Sequence, residues 1–145
     1  MAGYSGTPLV RKLGIKEGMR LGVIGDPGHF EALLGPLPSG VQRVDDPSLP
    51  RKPRAGTDRA LDVVVVFVPE ARLLERRFRL GHRLIDWAGG LWVSWPKMKS
   101  GLFRDLREGE IRTYGLNAGL VDNKICAVDD DWSGLRFVYG REDRP

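Results

Sequence analysis

Three groups of residues in this 145-residue chain are of types and spacings that could do chemistry. The first is the turn Gly25-Asp26-Pro27-Gly28, which follows the apolar stretch Met19–Ile24 and precedes a short helical stretch, His29–Leu34. A buried strand running through glycines into a helix start can meet an anionic or nucleotide-like ligand, because main-chain N–H groups point outward and glycine allows close approach. Gly25, Asp26 and Gly28 are the candidates there. The second group lies at other strand ends: Asp45-Asp46 after a short second strand, Trp95-Pro96-Lys97 after a later one, with Pro69-Glu70 and the Asp129–Trp132 turn at the same edge. Asp45 would hold ligand hydroxyls, Trp95 would line the pocket and Lys97 would supply a point charge. The third group is Arg72, Arg76, Arg79 and Arg83, spaced 4, 3 and 4 on one helix face. Like charges at that spacing repel by about a few tenths of a kcal/mol per pair. An acidic protein or a nucleic acid would relieve the repulsion, although no aromatic residue interleaves to stack single-stranded bases.

Each group also has a purely structural reading. Glycine and proline make tight turns, lysines in the Lys97–Gly101 loop can simply be solvated, and a charge row can be a wetted helix face moderated by Glu75 and Asp86. Asp129-Asp130-Asp131 lacks the alternate spacing of a calcium cage and reads as a solvated turn, so no metal site is expected. Asp122-Asn123-Lys124 reads as a turn in which Lys124 can pair with Asp122. The two histidines, His29 and His82, are far apart in the chain, and His29 reads as solvated. Cys126 reads as a small buried hydrophobe. No Ser-His-Asp or Cys-His set is present, so no catalytic residue is assigned.

The elements that must position these groups follow from hydrophobic patterning. Thr7-Pro8 opens a short helix that Gly14 stops. Strands are expected at Met19–Ile24, Gly40–Val44, Leu61–Val68, Leu91–Trp95, Lys124–Val128 and Leu135–Tyr139. LDVVVVFV, at 61–68, is β-branched and apolar on both faces, the signature of a strand covered on two sides. A long helix is expected over Glu70–Trp87, with Leu73, Leu74, Phe78, Leu80, Leu84 and Ile85 on its apolar side. Arg77 falls among those apolar positions and must snorkel or meet a partner. Another helix spans Leu106–Leu116, with Ile111, Tyr114 and Leu116 inward. Residues 45–60 form an irregular proline-rich connection.

Alternating strands and helices imply a parallel sheet with right-handed crossovers, and the tight final turn makes the last strand antiparallel. The expected fold is α/β: one single-domain, Rossmann-like three-layer sandwich over 1–145, with a mostly parallel sheet of about six strands and a C-terminal β-hairpin. In such a sheet a ligand sits at the carboxyl ends of the strands. Size and composition agree: 41% hydrophobic, 29% charged, net charge +4, one cysteine. The single cysteine excludes an internal disulfide and any all-cysteine metal site, and fits a reducing cytoplasm. No apolar run is long enough to span a bilayer, and the N-terminal residues contain no signal-peptide core.

The strings AGYSGTPL, DVVVVFV, GGLWVSWPK with the following KSG, and GLVDNKICAVDDDWSGLRFV resemble a family of small bacterial proteins without an assigned activity, whose core is Rossmann-like and similar to class I methyltransferases. The resemblance covers nearly the whole chain. It implies a methyltransferase-type final hairpin, S-adenosylmethionine as the cofactor to test, and an acidic residue after the second strand, Asp45 or Asp46, to hold ribose hydroxyls. The chain departs from that pattern at Gly25-Asp26-Pro27-Gly28, where a Gly-x-Gly turn is usual and Pro27 removes an N–H. Two readings of function stand side by side: a non-catalytic or regulatory domain binding a small anionic ligand, and a minimal methyltransferase. A third is an adaptor working through the arginine row.

Overall fold

The computed structural model describes residues 6–49 and 59–145. The middle of the proline-rich connection, 50–58, lies outside the described residues. Among the described residues six strands form one sheet in the order β2-β1-β3-β4-β6-β5. These are β1 (Arg20–Ile24), β2 (Gln42–Asp45), β3 (Leu61–Phe67), β4 (Ile85–Pro96), β5 (Leu120–Ala127) and β6 (Trp132–Tyr139). The pairs β1–β2, β1–β3 and β3–β4 are parallel, and β6 runs antiparallel to both β4 and β5. The exits of β1 to β4 therefore share one rim.

The valine run explains the layers. Val64 and Val66 of β3 point into a core with Leu91, Val93 and Phe137, under α3 (Leu74–Leu84) and α4 (Glu108–Asn117). Val63 and Val65 point the other way, into a core with Leu21, Val23 and Trp92, under α1 (Leu9–Lys12) and α2 (Phe30–Leu34). Alternate side chains of one strand thus bury on opposite faces, which is why no polar residue interrupts the run. The Trp92 indole Nε1 donates to the Leu13 carbonyl at 3.0 Å, satisfying a main-chain acceptor just after α1 while its ring fills the core.

Several expected boundaries move. The first helix begins at Leu9, with Pro8 at its cap, one residue later than the Thr7 cap suggests. The long helix is a 3-10 turn, Ala71–Leu73, followed by α3, and it ends at Leu84 rather than Trp87. Ile85 leaves it to pair with Leu61, and β4 begins there. Gly89 makes that path possible: a Cβ on it would lie 2.6 Å from the Asp62 carbonyl oxygen. β5 begins at Leu120, so Asp122-Asn123-Lys124 is a bulged stretch of strand and not a turn. Asp122 accepts from Arg112 Nε at 2.8 Å, which joins α4 to β5, instead of pairing with Lys124. That guanidinium holds the Asp122 carboxyl below the usual carboxylate range. Leu116, expected inward, is exposed, while Ile111 is buried and Tyr114 packs against the core.

Candidate functional site

The rim is built around Gly25. At φ +71 it turns the chain out of β1 in the left-handed region, where glycine carries no Cβ penalty. Its N–H donates to Asp46 Oδ1 at 2.9 Å. Asp46 lies just past β2, itself at φ +46, and its N–H returns to the Val23 carbonyl at 2.7 Å. The first and second strand exits are thus laced together.

Arg77 closes the corner from the other side. Its guanidinium Nη1 donates to the Phe67 carbonyl at the end of β3 and lies so near Gly25 that a Cβ there would be 2.4 Å from it. This resolves the arginine that sits on the apolar side of α3: it reaches back to the rim. Its side chain is partly buried, and among the described residues no carboxylate pairs with it. A partly desolvated guanidinium with one neutral acceptor has unused donors and an uncompensated charge.

The Gly25–Gly28 turn satisfies itself more fully than its sequence implies. Asp26 Oδ1 accepts from the N–H groups of Gly28 and Phe30, at 2.8 and 3.3 Å. The two N–H groups expected to face a ligand are therefore capped by the turn's own carboxylate, a consequence of aspartate's preference for such turns. Asp26 Oδ2 is paired with Arg43 at 3.2 Å. Arg43 also holds Asp45 Oδ1 at 3.0 Å and lies 6.0 Å from the centroid of the Phe30 ring. The Asp45 side chain remains 56% exposed, so it keeps acceptor capacity at the end of β2.

The β4 exit differs from the expectation. Trp95 is 4% exposed and belongs to the core under α3 and α4, so it lines no open pocket there. Lys97 is half-buried, and its N–H donates to the Asp131 carbonyl at 2.8 Å. Ser100 Oγ donates to Asp131 Oδ1 at 2.8 Å. Asp105, farther along the same loop, accepts from the Ala71 N–H at 2.9 Å, capping the helical segment after β3. The loop after β4 is thus anchored at both ends.

The three-carboxylate turn is structural too: Asp130 is exposed as expected, while Asp129 and Asp131 are partly buried. Asp129 Oδ1 accepts from the N–H groups of Asp131 and Trp132, both at 2.8 Å, and its Oδ2 lies 2.9 Å from His29 Nε2. His29 is therefore held by the final hairpin instead of by water alone. Beneath this pair, Phe67 packs edge-on against Phe30 and Trp132, with centroids 5.1 and 5.3 Å away. Among the described residues no group of His, Cys, Asp or Glu could hold a metal.

The arginine row does lie on one side. Arg72, Arg76, Arg79 and Arg83 line a cleft of about 550 Å³, opposite Pro47, Ser48 and Leu49. This cleft starts one residue beyond Asp46 and so adjoins the rim.

The structure therefore gathers Gly25, Asp26, Gly28 and Asp45 at one corner, puts Lys97 at the β4 exit, and removes Trp95 to the core. The place of Arg77 at the rim, Arg43 and the His29–Asp129 pairing escaped the sequence reading. For Arg77 the signal was its misplacement on an apolar helix face; Asp26 lies 17 residues from Arg43 and Asp129 lies 100 from His29, and no pattern links them.

No family model matches the chain, and no curated protein matches it. Solved structures do. A SAM-dependent methyltransferase from Aquifex aeolicus superposes with a TM-score of 0.56 at 15% identity, covering 89% of this chain and 86% of that one. A chain of the complex between the Haloferax volcanii Trm112 methyltransferase activator and a methyltransferase gives 0.61 at 11% identity, covering 92% and 87%. Aeropyrum pernix fibrillarin with natively bound S-adenosyl-L-methionine gives 0.53 at 16%, covering 91% and 69%. The likeness is one of fold: a class I methyltransferase-like Rossmann core.

Proposed function

We propose that the carboxyl rim binds S-adenosylmethionine and that the chain is a small methyltransferase of the S-adenosylmethionine-dependent type. The observation that carries this reading is Arg77. It presents a partly buried cation at the glycine corner, with no carboxylate partner among the described residues. A ligand carboxylate would provide the missing counter-charge through charge-assisted hydrogen bonds. Asp45, exposed at the end of β2, would accept from ribose hydroxyls. When bound, the cofactor would supply an electrophilic methyl group. The fold likeness to methyltransferases supports the same choice of ligand. The N–H groups of Gly28 and Phe30 take no part, because Asp26 holds them.

Isothermal titration of the full chain with S-adenosylmethionine tests this. Binding is expected, and Arg77→Ala should weaken it by about tenfold or more, the worth of a charge-assisted bond. Asp45→Asn should weaken it less. No heat and no thermal shift at millimolar ligand would end the proposal. A second reading, ligand binding without methyl transfer, draws on the engagement of the rim's own groups, His29 with Asp129 and Asp26 with Arg43. Tight binding without incorporation of radiolabelled methyl into nucleic-acid or protein fractions would favour it. No helix among the described residues is long and apolar enough to cross a membrane.

A further inference from the structure

We infer that the outer edge of β5 is a docking site for an acidic protein segment in extended conformation, which would add to the sheet as a further strand. The inference stands apart from the rim reading, since it uses none of the residues assigned to the rim.

The main chain is available. β5 pairs with β6 alone, so every second residue along it turns its N–H and C=O groups away from the sheet. Among the described residues no main-chain bond from outside the hairpin reaches them. No proline interrupts Leu120–Ala127, and the bulge at Asn123 leaves Lys124–Ala127 in regular register with β6. Side chains there alternate between the two faces. Ile125 stands opposite Leu135, a core residue under α3 and α4, so it lies on that side of the sheet, yet it is 54% exposed. Lys124 stands opposite Arg136, on the other side.

The charge there is uncompensated. Lys124 and Arg136 are like charges directly opposed across two strands, an arrangement that costs stability. Neither makes an ion pair among the described residues, and nor does Arg144. The Arg136 side chain is half-buried against Gly90, where a Cβ would overlap it, and it donates only to Asn123 Oδ1, at 3.4 Å. Burial, and then the charge of Arg144, hold its guanidinium below the usual range. Carboxylates close by are engaged on the opposite side of the sheet, where Asp122 and Glu108 both accept from Arg112. Glu142 and Asp143, next to Arg144 in sequence, ion-pair with none of the three cations.

The chemistry of the occupant follows. A strand laid along β5 would set alternate side chains beside Lys124 and beside Ile125, so acidic and apolar residues in alternation satisfy both faces. Neighbouring strands lie about 4.8 Å apart, which puts the added strand about 10 Å from β6, near enough to feel Arg136 as well as to touch Lys124. A second copy of the chain, edge to edge, would bring two such cation pairs together and be opposed by them. A nucleic acid would meet the cations but leave Ile125 and the main-chain edge unused.

The experiment uses a capped twelve-residue peptide alternating glutamate and valine. Beside it stand a peptide of the same composition with the glutamates in one block, the corresponding lysine–valine peptide, and a twelve-nucleotide oligodeoxythymidine. Isothermal titration into the full chain is expected to give the alternating acidic peptide a Kd on the order of 100 µM, at least about tenfold tighter than the block peptide. Its binding should slow hydrogen exchange in β5 and not in β2, the opposite edge of the sheet. Lys124→Glu should weaken binding at least about tenfold, because repulsion replaces attraction, and should turn preference towards the lysine–valine peptide. Lys124 is exposed, so the fold should survive; a thermal melt checks this, and Lys124→Gln, expected to weaken binding about threefold, serves if the reversal fails it. Absence of binding by the alternating peptide, equal binding by the block peptide, or binding of the oligonucleotide alone would overturn the inference. So would protection of β5 that grows with protein concentration in the absence of peptide, the mark of a second copy on this edge. Titration with S-adenosylmethionine should be indifferent to Lys124→Glu, which keeps a failure here distinct from a failure at the rim.

Discussion

Gly25 and Arg77 show how two residues of opposite character become interdependent. Gly25 turns at positive φ and has the guanidinium against it, so Gly25→Ala suffers twice, from backbone strain and from a clash. Its expected cost is about 1–3 kcal/mol in urea unfolding. Combining it with Arg77→Ala should recover the part due to the clash and leave the backbone part; purely additive losses would mean the contact is not formed. Another residue-scale expectation concerns His82. Burial, and then Arg59, hold its imidazole below the usual range, in contact with the rings of Phe78 and Tyr139. The unfolded chain takes up a proton near pH 6.5 that the folded chain resists, so stability is lost as pH falls below about 6.5. The drop in Tm from pH 7.5 to 5.5 should be shallower in His82→Gln than in the parent; equal slopes would exclude His82 as a source. Cys126, whose thiol burial pushes up, should alkylate at pH 8 more slowly than free cysteine.

At the scale of elements, close approach of backbone and ring sets the packing of α4. A Cβ at Gly115 would lie 2.1 Å from the Phe137 ring, a rigid neighbour inside the core. Gly115→Ala should therefore destabilise by about 1–3 kcal/mol, despite its better helix propensity, as overpacking does; a gain in stability would show that α4 rides higher than described. The boundaries that sequence patterning missed share a cause. The periodicity of Leu73, Phe78 and Leu84 marks α3 well, because burial of one face produces it. It cannot mark where α3 stops, because Ile85 is apolar for a different reason, its pairing with Leu61. Asp122 looked like a turn residue and sits in a strand because Arg112 holds it. Local preference yielded to a partner ten residues away.

For the whole molecule, strand identity, the parallel set and the reversed final strand were all legible, since a run such as Val63–Val66 can be stable only between two covered faces. The corner where the strand exits meet was legible in place but not in detail. Glycine and aspartate flagged the corner, whereas the contacts of Arg77, Arg43 and Asp129 depend on which exits the sheet brings together. The same architecture predicts graded local stability. Hydrogen exchange should be slowest in β3, paired on both sides and buried, and fastest in β2, a short edge strand with mostly exposed residues; comparable protection in the two would contradict the described strand order.

The placement of β6 has a consequence for synthesis. It is the last of the six strands to leave the ribosome, yet it separates β4 from β5, and β5 pairs with it alone. Until it emerges, the nascent polypeptide carries an unzipped seam, with the flank of β4 bare and the preceding strand without a mate. A nascent polypeptide with β5 already clear of the ribosome and β6 still inside it would therefore display an adhesive intermediate, and holding by a chaperone at that moment should matter more than at any earlier point of elongation.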